Sequence, residues 1–236
     1  MNRTLPARIE RVDVKIGYDL WAETYDTTAN PVVAMDARDT VALLAPARGE
    51  RILDAGCGTG RHLGALLEAG SEPVGIDFST GMLSVARRRY PSVPFITCDV
   101  GERLPFETGY FDAVLCALIG EHLTDLAATF DELHRVLREG GRLVFSVYHP
   151  QMAAAGKEAH FQRNGTEIRL GAMRHTLDDY LSAMQRAGFQ GISRRESLGD
   201  ERLGADVPAG ASLLGFPVLL ILLAEKGRAE LAGSVA

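Results

Sequence analysis

The stretch Ile52-Leu53-Asp54-Ala55-Gly56-Cys57-Gly58-Thr59-Gly60 decides the fold of this chain. Its apolar beginning is typical of a buried strand, and three glycines at alternate positions indicate a turn. Glycine adopts positive φ freely and lets a ligand approach the backbone. Residues 61–68 then show apolar residues at helical spacing, and the first N–H groups of a helix lack partners within it. This strand, turn and helix predict a cradle for a cofactor.

The glycine spacing argues against two common nucleotide sites. A dinucleotide site has the form G-x-G-x-x-G. Here Arg61 occupies a position at which that site requires a small residue. A P-loop would end in Gly-Lys-Ser/Thr, which this stretch lacks. The cradle is therefore not predicted to hold NAD, FAD or a P-loop nucleotide.

Further strands alternate with helices along the chain. The predicted strands are Pro73–Ser79, Phe95–Val100, Phe111–Leu118 and Arg142–Tyr148. Alternation of this kind predicts an α/β fold with a doubly wound, mostly parallel sheet. Asp77 and Asp99 stand near the carboxyl ends of two of these strands, where ligands bind in open sheets.

The motif Asp54 to Gly60 has the form (D/E)-x-G-x-G-x-G and resembles the first motif of class I S-adenosylmethionine-dependent methyltransferases. The resemblance covers residues 51–148 and points to the small-molecule, type 11 branch, which is similar to ubiquinone and menaquinone biosynthesis enzymes. It implies a Rossmann-like seven-stranded sheet with helices on both faces and a C-terminal antiparallel strand. It also implies S-adenosyl-L-methionine as the cofactor.

The resemblance assigns roles at the cradle. It implies that Asp77 accepts from the ribose hydroxyls, Phe78 lies beside the adenine, and Asp99 and the Val100 N–H bind the adenine edge. Tyr18, Trp21 and Tyr25 fall about one helical turn apart; the aromatic stripe either packs a helix or, for the two tyrosines, covers the cofactor. The cofactor-binding residues it implies are Tyr18, Tyr25, Asp54, Gly56, Gly58, Gly60, Asp77, Phe78, Met82, Asp99, Val100 and Ala117.

The chain is expected to form one domain, residues 1–236, with four parts. These are an N-terminal helical cap (1–48), a cofactor-binding core (49–150), an insertion or lid (151–175) and a C-terminal helix with a strand pair (176–226). The insertion is too long for an ordinary connection, and loops of such length are often functional. Thr176 and Asp179 predict a capping box at the start of the last helix.

The charge and the composition of the chain limit the kinds of partner that it is expected to bind. A net charge of -6 provides no basic field for nucleic acid. Three cysteines without metal-ligand spacing predict reduced thiols in a cytoplasmic protein and no metal site. The N-terminus lacks the apolar core of a signal peptide, and the apolar run 213–224 is too short for a membrane span. We expect a monomer or homodimer that acts on a small-molecule methyl acceptor, without nucleic acid or membrane partners.

Two histidines are candidates for catalysis. Transfer needs the acceptor atom, the methyl carbon and the sulfur in line, and a base is useful where a hydroxyl must lose its proton. His122 and His149 lie just beyond the predicted fourth and fifth strands, so their position favours them over His160 and His175. The predicted reaction is methyl transfer from S-adenosylmethionine to oxygen or nitrogen. The alternatives are a cofactor-binding regulatory or partner protein without transfer activity and, less favoured, an RNA or protein methyltransferase.

Overall fold

A computed structural model describes residues 8–228 of the 236-residue chain. Strands and helices alternate through its middle, as the sequence predicts. The strands are β1 Arg8–Arg11, β2 Arg51–Ala55, β3 Glu72–Asp77, β4 Phe95–Thr97, β5 Phe111–Ala117, β6 Leu137–Tyr148, β7 Ala159–Arg163, β8 Thr166–Gly171, β9 Phe189–Leu198 and β10 Pro217–Lys226. The α-helices are α1 Val14–Trp21, α2 Pro31–Leu44, α3 Leu63–Glu68, α4 Thr80–Arg89, α5 Leu126–Val136, α6 Pro150–Ala154, α7 Leu177–Arg186 and α8 Glu201–Asp206.

The central sheet has seven strands in the order β4-β3-β2-β5-β6-β10-β9. The first five pair in parallel, and β10 runs antiparallel to both of its neighbours. The chain leaves β2 toward β3 on one side and later returns to β5 on the other. This reversal of strand order next to β2 is where open α/β sheets bind ligands. The predicted fold class is confirmed.

Both faces of the sheet are covered by helices. One apolar cluster joins α5 and α7 to the sheet through residues such as Phe130 and Met184. The other joins α2, α3 and α8 to the opposite face, with Met35, Leu66 and Leu203 fully or almost fully buried. The capping box between Thr176 and Asp179 is present and starts α7 where the sequence predicts. A sheet covered on both faces holds the carboxyl ends of its strands in fixed positions.

Some element boundaries differ from the sequence prediction. Strand β6 begins at Leu137, directly after α5 ends at Val136, rather than at Arg142. Gly140 and Gly141 lie within β6, where Gly140 takes a φ of +70° and the pairing with β5 shifts register. A bulge of this kind lets a strand continue through an irregular segment.

The flanks of the core form a second sheet that the sequence analysis does not predict. The N-terminal segment is helical from Val14 but begins with strand β1; its first seven residues lie outside the described residues. The insertion contains a hairpin of β7 and β8, and β1 pairs in parallel with β8. A small apolar cluster packs this sheet on α1, where Phe161 stacks on Trp21 with ring centroids 4.8 Å apart. The insertion thus packs against the N-terminal segment and pairs with it through β1.

The long linker between β9 and β10 is also structured. It contains α8 and a 3-10 helix, Pro208–Leu213, and it packs on α2 through the fully buried Leu203. Across residues 8–228, no helix has the length and apolar character needed to cross a membrane. Within the same residues, no group of three or more His, Cys, Asp or Glu side chains is arranged to hold a metal ion.

Candidate cofactor site

A cleft opens beside the carboxyl ends of β2, β3 and β5. The residues that line it come from the glycine turn, from the ends of the neighbouring strands and from the N-terminal segment. They are Tyr18, Tyr25, Gly56, Cys57, Gly58, Thr59, Arg61, Asp77, Phe78, Met82, Asp99, Val100, Ala117, Leu118, Ile119, His122 and Leu123.

The glycine turn forms the floor of the cleft. Gly56 and Gly58 have φ angles of +78° and +55°, a region that favours glycine. The N–H groups of Gly56 and Cys57 both donate to the Ile76 carbonyl at 2.9 Å, which ties the turn to β3. A Cβ on Gly58 would meet nothing within 4 Å, so this position faces open space, whereas a Cβ on Gly56 would lie 2.6 Å from the Ile119 side chain. The turn therefore presents bare backbone to a ligand.

Asp77 links the end of β3 to this turn. One carboxylate oxygen accepts from the Gly58 N–H at 2.9 Å, and the other accepts from the Ser79 N–H at 2.8 Å. Burial raises the pKa of Asp77 to about 6, although these two hydrogen bonds oppose the rise. A carboxylate offers about four lone-pair sites, so two are left for a ligand in the cleft. The geometry suits a residue that binds a diol while it holds the turn.

Asp54 lies behind the turn and has no hydrogen-bond partner in the structure. Both of its carboxyl oxygens are buried, and neither accepts a hydrogen bond from a described residue. Burial raises its pKa to about 6, and His62 and Arg61 lower it only in part. An unpaired buried carboxylate is costly, so this group favours a ligand that brings a donor or positive charge, directly or through water. S-adenosylmethionine carries an ammonium and a sulfonium, and therefore fits this charge.

Asp36, on α2, is a site residue that the sequence analysis missed. Its fully buried carboxylate accepts from Arg61 Nη1 at 2.5 Å and lies 3.0 Å from His62 Nε2, and Thr40 and Ser146 also donate to it. Burial alone would raise its pKa, but the Arg61 guanidinium and the other donors hold that pKa well below its usual range. Asp36 therefore fixes Arg61 at the wall of the cleft. An acid within an apolar helical stretch is the only sequence signal for it.

A cluster of aromatic side chains from the N-terminal segment covers one side of the cleft. Tyr18 lies between the Phe78 ring at 6.3 Å and the Tyr25 ring at 6.2 Å, measured between centroids. Trp21 is 5.0 Å from Tyr25 and is supported from behind by Phe161 of β7. The two tyrosines line the cleft and Trp21 packs against the hairpin. That Tyr18 and Tyr25 cover the cofactor stays a prediction.

His122 reaches the cleft from the 3-10 turn Gly120–His122 that follows β5. Its Nε2 lies 2.9 Å from the Tyr18 hydroxyl, and its Nδ1 is buried without a partner among the described residues. Burial lowers the pKa of His122 to about 4, so the imidazole is neutral near pH 7. In the tautomer with the proton on Nδ1, the Tyr18 hydroxyl donates to Nε2. The preceding Glu121 is 3.9 Å from this imidazole, beyond hydrogen-bond distance, so it does not orient the ring.

His149 is placed elsewhere. It caps the start of α6, where its Nδ1 accepts from the Gln151 N–H at 3.2 Å, and its Nε2 lies 3.4 Å from Glu196 on β9. It is not among the described residues that line the cleft. The sequence does carry a signal for this position, because Pro150 favours the first turn of a helix and leaves its predecessor at the cap.

Most of the cofactor-binding residues implied by the resemblance are brought together. Asp54, at the end of β2, and Gly60, in the turn, do not line the cleft. Their direct contact with a cofactor, like the catalytic roles of His122 and His149, stays a prediction. The implied residues that do line the cleft are Tyr18, Tyr25, Gly56, Gly58, Asp77, Phe78, Met82, Asp99, Val100 and Ala117.

The strand order, the glycine turn and the acidic strand ends define the architecture of class I S-adenosylmethionine-dependent methyltransferases. Residues 53–145 match the family model of a methyltransferase domain. The chain therefore contains a methyltransferase domain of this class, which is similar to that of the demethylmenaquinone methyltransferases.

Individual relatives agree with this assignment. A demethylmenaquinone methyltransferase of Beutenbergia cavernae is 38% identical over 140 residues, which are 58% of this chain and 58% of that protein. The bifunctional biotin biosynthesis protein BioHC of Cellvibrio japonicus is 30% identical over 195 residues, covering 82% of this chain and 38% of that protein. The chain thus spans little more than half of the length of the first of these curated relatives and less than half of the second. A solved S-adenosylmethionine-dependent methyltransferase of Mesorhizobium loti has a TM-score of 0.68 at 25% identity, covering 80% of this chain and 97% of its own.

Proposed function

We propose that this protein transfers the methyl group of S-adenosylmethionine to an oxygen or nitrogen atom of a small-molecule acceptor by in-line displacement. The observation that carries the proposal is the cleft itself. Its bare glycine turn and the acidic end of β3, with the unpaired Asp54 behind the turn, suit one cationic, ribose-bearing cofactor. The bound cofactor would supply an electrophilic methyl group, so the protein's share of the work is orientation and electrostatics.

The described residues suit that work. Asp77 and Asp99 would hold the ribose and the adenine, and Tyr18 and Tyr25 would cover the opposite end of the cofactor. Neutral His122 does not repel a positive sulfonium, unlike a protonated imidazole. Its low pKa also makes it a weak base, so we expect its contribution to lie at the lower end of the roughly 10²–10⁴-fold range of general bases. Its main role would be to hold the Tyr18 hydroxyl toward the acceptor.

The remaining parts of the proposal concern partners. We infer a monomer or homodimer in the cytoplasm; the cysteines Cys57, Cys98 and Cys116 are free thiols, as is usual in a reducing compartment. Net charge -6 supports an acceptor other than nucleic acid. The name of the Beutenbergia cavernae relative adds a second candidate acceptor, demethylmenaquinone, which a search for acceptors has to include.

Methyl transfer from S-adenosylmethionine labelled in its methyl group tests the proposal. Purified protein is incubated with hydroxyl, amine and naphthoquinol acceptors, and labelled product is counted for the wild type and for His122→Ala. The exposed His160 provides the matched control His160→Ala, which we expect to keep full activity. Label in a hydroxyl or amine product supports the proposal, and label on naphthoquinol carbon alone would replace it. Cofactor binding without any product would favour the regulatory alternative.

A further inference from the structure

A small space lies behind the cluster of aromatic side chains and is called the inner cavity here. It has room for about one water molecule. Its wall includes Tyr18, Trp21, Tyr25, Glu121 and Tyr148, and the first and third of these also line the cofactor cleft. A polar contact inside the inner cavity can therefore act on a wall of the cleft.

Among the described residues that wall the inner cavity, Glu121 is the one acidic side chain. This side chain is only 4% exposed, and its Oε2 is buried with no hydrogen-bond partner among the described residues. His122 Nε2 lies 3.9 Å from the Glu121 Oε1, beyond hydrogen-bond distance. Burial raises the pKa of Glu121 to about 8, so the carboxyl group is mostly protonated at pH 7. An unpaired buried carboxyl group is costly, whether neutral or charged, so it favours a further partner.

Two tyrosine hydroxyl groups in the same wall have hydrogen-bonding capacity left. The Tyr25 hydroxyl makes no hydrogen bond to a described residue, and the Tyr148 hydroxyl accepts from Asn30 Nδ2 at 3.3 Å but donates to no described residue. Burial is the main cause of the raised pKa of both hydroxyl groups, and the Glu121 carboxylate adds to the rise in each. Both hydroxyl groups thus lie within electrostatic reach of Glu121, although no direct hydrogen bond joins them to it.

A water molecule matches the size and the chemistry of this space. Buried water typically makes about three hydrogen bonds to polar groups that would otherwise lack partners. It has two donors and two acceptor lone pairs, so it can serve a carboxyl group and two hydroxyl groups together. An organic group is too large for the inner cavity. A metal ion is less suited, because no group of three or more His, Cys, Asp or Glu ligands occurs within residues 8–228.

We propose that the inner cavity binds one water molecule, which joins the Glu121 carboxyl group to the hydroxyl groups of Tyr25 and Tyr148. Glu121 is then a positioning residue, because it acts through this water on Tyr25 and fixes that ring at the wall of the cofactor cleft. The water also reaches the start of α2, since Tyr148 is bonded to Asn30, the N-cap of that helix. The inference rests on cofactor binding in the cleft and not on which acceptor atom is methylated.

A crystal structure at a resolution that shows ordered water tests the water site directly. We expect density for one water about 2.5–3.0 Å from the Glu121 Oε2 and from the hydroxyl oxygens of Tyr25 and Tyr148. The absence of density there, or a peak in contact with Glu121 alone, would overturn the inference. A peak about 2.0–2.5 Å from the carboxyl oxygen would overturn it in favour of a bound cation. Crystals grown without ligand give the same test.

Calorimetric titration with S-adenosylhomocysteine at pH 7 tests the positioning role. Glutamine has the shape of a protonated Glu121 and keeps a donor and an acceptor, so Glu121→Gln should bind within about twofold of wild type, whereas Glu121→Leu should bind about three- to tenfold more weakly. In the Tyr25→Phe background the effect of Glu121→Leu should fall below about twofold, because the hydroxyl through which it acts is gone. The exposed Glu68 gives the control Glu68→Leu, which should match wild type.

The outcomes separate this inference from the cofactor assignment. Unchanged affinity in Glu121→Leu, or equal weakening in Glu121→Gln and Glu121→Leu, would contradict a role through hydrogen bonds. A full effect of Glu121→Leu in the Tyr25→Phe background would contradict the link to Tyr25. If Glu121→Leu does not fold, Tyr148→Phe takes its place in the same comparison. If the wild type fails to bind S-adenosylhomocysteine, the proposed function fails and the crystal structure still decides the water site; if it binds and the water is absent, only this inference fails.

Discussion

Replacement of Asp54 by asparagine is expected to stabilise the protein without cofactor and to weaken cofactor binding. Burial raises the pKa of Asp54 from 3.8 to about 6 in the folded state. Between these two values the unfolded chain ionises while the folded chain keeps its proton, so stability falls as pH rises. Above pH 6 the loss is complete. At 1.36 kcal/mol per pKa unit it amounts to about 3 kcal/mol, of which about 2 kcal/mol falls between pH 4.5 and pH 8.

Urea unfolding of wild type and Asp54→Asn at these two pH values measures the effect. Asparagine cannot ionise, so the stability of the variant relative to wild type should rise by about 2 kcal/mol from pH 4.5 to pH 8. A constant cost for the buried amide cancels in this comparison. The exposed Asp131 on α5 gives the control Asp131→Asn, for which no such change is expected.

Cofactor binding should change in the opposite direction. Loss of a charge-assisted contact is expected to weaken S-adenosylmethionine binding by about 10- to 100-fold at pH 8. Two results would refute the reasoning. A stability difference independent of pH would show that the carboxyl group is solvated or paired in the folded protein, and unchanged affinity would show that its charge does not act on the cofactor.

Three further predictions follow from buried contacts. The wild type should lose up to about 5 kcal/mol of stability as pH rises from 4.5 to about 8, because buried Glu121 resists ionisation, and Glu121→Gln should not show this loss. A stability difference between wild type and variant that is equal at pH 5 and pH 8.5 in urea unfolding would contradict this prediction. Tyr18→Phe leaves the buried imidazole of its partner unpaired, so the free energy of unfolding should fall by about 1–3 kcal/mol; an unchanged urea midpoint would show that the hydrogen bond does not form. Gly17→Ala places a Cβ 2.6 Å from Leu170 Cγ, so we expect about 1–3 kcal/mol of destabilisation and faster hydrogen exchange in β7 and β8; unchanged exchange there would mean that α1 does not hold the hairpin.

The cofactor core was predictable because its signals are local. A buried strand, a glycine turn and an acid at the next strand end are all written in short, consecutive stretches, as at Asp54 and Asp77. The pairing of β1 with β8 joins segments about 158 residues apart. Strand β1 is also exposed along its whole length, so no buried face imposes an alternation of apolar and polar residues on it. Such pairing cannot be inferred from local periodicity.

The candidate site divides in the same way. His122 and His149 both follow strands, yet only His122 lines the cleft, because β6 leads directly into α6 and His149 is used as the cap of that helix. Asp36 and Glu121 depend on burial for their importance, and burial is set by packing between distant elements. Asp36 lies 25 residues from its partner Arg61, and neither acid belongs to the glycine motif.

Calorimetric titration with S-adenosylhomocysteine tests the central claim most directly. We predict one binding site per chain in the wild type, and at least about tenfold weaker binding in Asp77→Ala, because that carboxylate holds the Gly58 N–H and is placed to accept from the ribose. Absence of binding to the wild type, or equal affinity in Asp77→Ala, would contradict the assignment of this cleft to S-adenosylmethionine.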